Sequence, residues 1–314
     1  MTAARRIWAL HLAVLAVLAV AGVLLPSYHS TNLARIMVLA VFAMGYNLAF
    51  GYTGLLSLGH AMFFAAGMYG AGLPAWHWGW GAAPGLVLGT VAGGALAALV
   101  GLLALRTAGV SFMIVTLMFA KAFALSILYF NSWTGGDEGF VLPTATRAIG
   151  GISLSQDGPR YALALGLFAL ALILSLVVVR SRFGRVMVAL RENEERARML
   201  GINPFASKLM VLAISGAFSG ASGAGYAVLF GYAGGSFADI QYSILPMLYV
   251  LMGGAGTVLG AGLGAGLMFY LTDFASSVAD AWLFVVGAAL VVLVLFAPRG
   301  LLGWVRAKWW RDLP

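Results

Sequence analysis

The sequence predicts an all-α polytopic membrane protein with about ten transmembrane or partly spanning helices, some of them broken. Three observations carry that prediction. Of 314 residues 62% are hydrophobic, with a mean hydropathy of +0.98, and a water-soluble domain has no interior large enough to hide so much apolar surface. Only 9% are charged, against 42 glycines, the small residues that let membrane helices approach closely. The apolar residues also fall in runs long enough to cross about 30 Å of hydrocarbon at 1.5 Å per residue. The net charge of +8 is spread over helix ends rather than gathered on one face, which speaks against nucleic acid as a partner. With no cysteine there is neither a disulfide framework nor a cysteine metal site.

Arg5-Arg6 precedes an apolar run over 7–25. That run is too long for a signal-peptide core, and no small-x-small cleavage site follows before Pro26, so it reads as a retained first helix. Spans follow at 33–50, 53–73, 82–105, 108–130 and 160–180. A charged helix at 185–201 comes next, then 206–231, a short 241–252 that either spans or re-enters, 255–271 and 280–297. The loop 131–159, with Trp133-Thr-Gly-Gly-Asp-Glu-Gly-Phe140, is the longest polar excursion and long enough for a docking edge. Trp304-Val-Arg-Ala-Lys-Trp-Trp-Arg311 alternates aromatic and basic residues, as an interfacial anchor does. The whole chain, 1–314, reads as one transmembrane domain.

These spans place fourteen of the 18 Lys and Arg residues on the side of the N-terminus. Arg35, Arg147 and Arg160 fall on the other side, and Lys121 falls within a span. The positive-inside rule then makes both termini and the charged helix cytoplasmic.

The charged helix lies in the window Arg180–Pro204, which holds nine ionisable side chains. A central Arg or Glu costs roughly 2.5–3.5 kcal/mol in hydrocarbon, so the window lies outside it. Val186, Leu190, Ala197 and Leu200 form one apolar stripe, and Glu192–Arg196 and Glu194–Arg198 are pairs in the favourable i,i+4 order. Gly201 suits the left-handed position just past a helix end, and Pro204 stops the segment. The expectation is one amphipathic helix of about four turns. The alternative is a solvated loop that merely obeys the positive-inside rule.

Two glycine-rich segments read as broken helices, Gly51–Gly70 and Gly231–Gly256. Both begin Gly-Tyr-x-Gly, at opposite ends of their spans, as a 5+5 inverted repeat would place them. Groups able to carry chemistry are few. No Gly-x-x-x-x-Gly-Lys-Ser/Thr cradles a nucleotide, and no metalloprotease or hydrolase motif stands. Histidines 11, 29, 60 and 77 are scattered and make no metal site. No acid sits mid-span; Asp239 borders the short span and Asp273 ends its own, so a proton- or sodium-driven carrier lacks its handle. Lys121, the charge inside a span, either lines a pathway or subunit contact, or snorkels. His60 either faces a pathway or caps the broken helix. Asn47, beside Tyr46, is a pathway residue or helix–helix glue. Tyr52 and Ser57 in the first break complete the candidate pathway set.

Several stretches, in order along the chain, resemble the LivM-type permease of branched-chain amino acid ABC importers. They are Gly51-Tyr-Thr-Gly-Leu-Leu-Ser-Leu-Gly-His-Ala-Met-Phe63, Arg106–Leu117 and Trp133–Gly139. Leu190-Arg-Glu-Asn-Glu-Glu-Arg-Ala-Arg-Met-Leu-Gly-Ile-Asn203 and Phe296-Ala-Pro-Arg-Gly-Leu301 complete the set. The resemblance implies a permease in the bacterial inner membrane that moves branched-chain amino acids, or a related small polar solute, inward. It makes the charged helix a coupling helix, with Glu195, Ala197 and Gly201 at the positions of the permease docking motif and Arg191 and Glu192 beside them. It implies a second homologous permease, two cytoplasmic ATPase subunits that bind the ATP, and a periplasmic solute-binding protein. The chain itself then needs no cofactor. Lys121 departs from the pattern, because an acid is expected there; the change bears on the solute or on the contact with the partner permease. A competing class is an autonomous channel or facilitator for a small polar solute such as urea, which has no need of the charged helix. An intramembrane enzyme lacks a catalytic pair.

Overall fold

The computed structural model describes residues 3–278 and 300–308, and between them residues 284, 287, 288, 291 and 295. The expected span 280–297, with Asp280 and most of the Phe296–Leu301 motif, lies outside the described residues. The main elements are α1 (Ala3–Leu24), α2 (Ser27–Asn47), α3 (His60–Trp78), α4 (Ala82–Ala104), α5 (Gly109–Tyr129), α6 (Asn131–Thr134), α7 (Asp157–Arg180), α8 (Arg182–Glu192), α9 (Glu194–Met199), α10 (Pro204–Phe230), α11 (Ile240–Gly253) and α12 (Val258–Val278). A further helix, Gly300–Lys308, packs against α11.

Among the described residues seven helices are long and apolar enough to cross a membrane: α1, α2 with its continuation to Tyr52, α4, α5, α7, α10 and α12. Two expected spans fall short of that. α11 has 14 residues, about 21 Å at 1.5 Å per residue, well under the bilayer core. The span expected at 53–73 is displaced to His60–Trp78, because residues 53–59 are not helical. The displacement has a local cause. After α2 the chain widens into a π turn over Leu48–Tyr52. The Thr53 hydroxyl then donates to the Leu48 carbonyl at 2.9 Å, and the Ser57 hydroxyl accepts the Gly59 N–H at 3.1 Å. Such side chains offer the backbone an alternative to helical bonding.

The centre of the bundle is α10, which packs most extensively on α4, α3 and α2. Several of its closest contacts are backbone to backbone. A Cβ added at Gly67 would overlap the backbone of Gly220, and one at Gly93 would overlap Gly216. Close small-residue packing of this kind replaces the hydrophobic effect, which lipid does not supply. Around it α2 is buried almost throughout, with Tyr46, Phe42, Met37 and Met44 fully enclosed.

The far end of the bundle is fastened by the loop before α7. Strand β1 (Phe140–Val141) pairs antiparallel with β4 (Tyr232–Ala233), while β2 (Ala148–Ile149) and β3 (Ile152–Ser153) form a hairpin. Arg147, read from sequence only as an outer charge, donates to the carbonyls of Val228 at 2.8 Å and Leu229 at 2.5 Å. It thereby satisfies the last turn of α10, where carbonyls lack helical partners. Arg35 is also not a loop charge. It lies within α2 with its guanidinium carbon 5.0 Å from the Phe230 ring centroid.

Candidate functional site

The charged stretch is two helices, not the single one expected over 185–201. Asn193 is extended (φ −163°, ψ 109°), and its side chain accepts the Arg196 N–H at 2.9 Å. An Asn in that role, followed by Glu194 and Glu195 in the first turn, starts a new helix, α9. The break redistributes the expected ion pairs. Among the described residues Glu192 makes no ion pair with Arg196, Arg198 pairs with Glu195 at 3.7 Å, and Glu194 pairs instead with Lys208 of α10. The buried face is Gly184, Met187, Leu190 and Ala197. Leu200, placed in the apolar stripe from sequence, points outward instead, 78% exposed beside Met199 at 81%.

The end of α9 follows the expectation for Gly201. Ile202 N–H donates to the Ala197 carbonyl at 3.2 Å and Gly201 N–H to that of Arg198 at 3.0 Å, with Gly201 at φ +82°. This is the two-bond Schellman closure, which favours glycine at the left-handed position. Glu192, Glu195 and Gly201 are exposed, whereas Ala197 is buried against the bundle. A cavity of 570 Å3 opens beside them, lined in part by Arg106, Thr107, Glu194, Gly201 and Lys208.

Arg191 turns from this surface to its own chain, donating to the carbonyl of Gly51. Its side chain lies against Gly54, and its guanidinium reaches Gly256. Asn47 closes the same junction: its Nδ2 donates to the Thr257 carbonyl at 2.9 Å, and its Oδ1 accepts the Gly256 N–H at 3.0 Å. Both chain breaks and the charged segment therefore meet at one end of the bundle. Asn47 is buried there with both ends of its amide engaged, the arrangement of helix–helix glue.

His60, the first residue of α3, is fully buried. Its Nε2 lies 2.8 Å from the Ser215 hydroxyl, which itself donates to the Gly45 carbonyl at 2.7 Å. With that proton committed, the imidazole nitrogen is the donor of the pair, so Nε2 carries a hydrogen. The N-terminus of α3 is satisfied from other helices: Ala61 N–H donates to Ser243 of α11 at 2.9 Å, and Leu58 N–H to Thr116 of α5 at 3.2 Å. Ser57, whose carbonyl accepts from Tyr46, is also buried, as is Tyr52. Asn47, Tyr52, Ser57 and His60 thus lie within the packing of this chain.

Lys121 is placed differently. It stands on the outward face of α5 and pairs with Asp239 at 3.3 Å, the two side chains 60% and 50% exposed. In the sequence Asp239 borders the short span and Lys121 is the charge within another; the structure brings the two together. Ser215, Ser243, Thr116 and Lys208 were not singled out from sequence, since their partners are remote in the chain. Among the described residues no cluster of His, Cys, Asp or Glu is arranged to hold a metal ion.

Residues 28–295 match the family model described as the permease component of branched-chain amino acid transport systems. The chain belongs to this family. It is 30% identical over 95% of its length to the high-affinity branched-chain amino acid transport permease LivM of Salmonella typhimurium, covering 76% of that protein, and equally to LivM of Escherichia coli. It is 31% identical over 45% of its length to the autoinducer 2 import permease LsrC of Klebsiella pneumoniae, covering 41% of that protein. No solved structure matches it. Family membership and the long apolar helices make it a multi-pass membrane permease.

Proposed function

We propose that this permease is the membrane subunit of an ABC importer carrying branched-chain amino acids, or a related small polar solute, inward across the bacterial inner membrane. ATP is hydrolysed on two separate cytoplasmic subunits, a second homologous permease completes the passage, and a periplasmic solute-binding protein delivers the solute. The termini and α8–α9 face the cytoplasm, following the distribution of Lys and Arg.

The observation that carries this reading is the tip of α9. Met199 and Leu200 are 81% and 78% exposed on a helix otherwise rich in charge. Large apolar side chains projecting from a polar helix suit a pocket on a partner protein. The tip is held rather than loose: Lys208 holds Glu194, Arg191 holds Gly51, and Gly201 closes the end. A push on the tip is therefore transmitted to α10 and to the junction of both breaks, moving packed helices as bodies.

An inverted repeat is supported by spacing. Gly51-Tyr-Thr-Gly54 begins nine residues before His60, the start of α3, and Gly231-Tyr-Ala-Gly234 begins nine before Ile240, the start of α11. The two starts meet through the Ala61–Ser243 bond. Half-helices starting inside the membrane from opposite sides are the device by which transporters of this build place polar backbone near a solute.

The test is reconstitution. The chain co-expressed with an ATPase, a second permease and a solute-binding protein of the same transporter family should purify as one assembly and take up leucine only with ATP. A chain that moves solute unaided is a channel and contradicts the proposal.

A further inference from the structure

The Lys121–Asp239 pair is placed where a structural ion pair has little reason to be. At 1.5 Å per residue Lys121 lies about 18 Å from the start of α5 and about 12 Å from its end, near the middle of the bilayer. Around it the outward face of α5 carries Val110, Ile114, Met118 and Leu125, all substantially exposed. Charges at that depth do not face hydrocarbon; they face a water-filled passage or a partner. Both side chains remain half exposed or more, joined by a single contact of 3.3 Å.

Asp239 shows a second peculiarity. It occupies the N-cap position of α11, where a carboxylate ordinarily accepts a backbone N–H of the first turn, yet it makes no such bond. Its carboxylate is turned to Lys121 instead, so the start of this 14-residue helix has no side-chain cap. An uncapped helix start attracts a carboxylate. One small region thus offers an ammonium and a helix N-terminus for a negative group, and a carboxylate for a positive one.

We propose that Lys121 and Asp239 form a mid-membrane station for a zwitterionic amino acid. The solute's carboxylate exchanges onto Lys121 and the start of α11, and its ammonium onto Asp239. One ion pair within the chain becomes two with the solute, and the pair closes again when the solute leaves. No charge is stranded in the membrane at any stage, so the passage can be crossed without tight binding. A solute lacking either charge leaves one partner uncompensated and is passed poorly.

This rests on the importer reading, and the experiment separates the two. Leucine uptake is measured in proteoliposomes holding the complete assembly with its binding protein and ATP, per mole of assembled complex. Lys121→Met and Asp239→Asn should each lower uptake at least tenfold, and Lys121→Arg should retain it. The exchanged pair, Lys121→Asp with Asp239→Lys, re-forms an ion pair but puts a cation at the helix start, so uptake should stay at least tenfold down. Where a single neutral variant does not assemble, the exchanged pair decides. Full uptake in either neutral variant, or recovery in the exchanged pair, assigns the contact a purely structural role and overturns the station alone. A wild-type assembly that takes up no leucine overturns the importer reading and the station with it.

Discussion

The guanidinium of Arg191 donates to the carbonyl oxygen of Gly51, 140 residues earlier in the chain. That bond ties the last turn of α8 to the first chain break, and the second break lies against the same guanidinium at Gly256. Coupling between a nucleotide cycle in the cytoplasm and a gate in the membrane needs such a link.

If the chain works as the proposed importer subunit, Arg191→Met should uncouple uptake from ATP hydrolysis. A hydrogen bond to a charged group contributes about 1.5–3 kcal/mol, enough to loosen the junction without unfolding a bundle held mainly by helix packing. Uptake should fall at least tenfold while the assembly still forms on a sizing column. Unchanged uptake would remove Arg191 from the coupling route.

Asn47→Ala should destabilise the fold itself. It withdraws the amide that serves both Gly256 N–H and the Thr257 carbonyl, and each buried group so deprived costs about 1–3 kcal/mol. A lowered unfolding temperature in detergent is expected, together with faster proteolysis near 254–257. Asn47→Asp should be no better, because it sets a carboxylate against the Thr257 carbonyl.

Glycine variants should divide by location. Gly67→Leu drives a side chain into the backbone of Gly220, and overpacking of this sort costs about 1–3 kcal/mol or more. Gly166→Ala in α7 meets nothing within 4 Å and should be neutral or add about 0.5–1 kcal/mol by restricting the unfolded chain. Thermal unfolding of the two variants in one detergent provides the comparison.

Gly201→Val tests the end of α9. Open space surrounds Gly201, so insertion and packing should be normal. Its φ of +82° costs a branched residue about 1–2 kcal/mol, which tilts α9 away from its closure. Normal expression with uptake reduced severalfold or more is expected, and Gly201→Asn should be milder.

Much of this architecture was legible because its determinants are local. Apolar run lengths give the long helices, and Gly201 with Pro204 gives the end of α9. The start of α9 is equally local, since Asn193 followed by Glu194 and Glu195 is a helix-start signal, but the flanking apolar spacing joins smoothly across it and masks the break. The displaced start of α3 was hidden by hydropathy, which does not distinguish Leu55-Leu56 in an extended run from the same pair in a helix. What sequence did not carry is pairing at long range. Glu194 had Arg198 at the favourable spacing and takes Lys208 instead, because the turn at 200–203 folds α10 back beside it. Arg191 with Gly51, His60 with Ser215, and Lys121 with Asp239 are likewise products of packing, and they compose most of the candidate site.

The central claim is that the tip of α9 sits in the cytoplasm within a partner ATPase. The chain has no cysteine, so Leu200→Cys introduces a unique thiol at an exposed position. In whole cells the thiol should resist membrane-impermeant maleimide applied from outside. In inverted vesicles it should react, cross-link to the ATPase subunit, and change its cross-linking yield when a nucleotide analogue closes that subunit. Labelling from the outer side, or an ATPase that never cross-links while the assembly is active, would contradict the account.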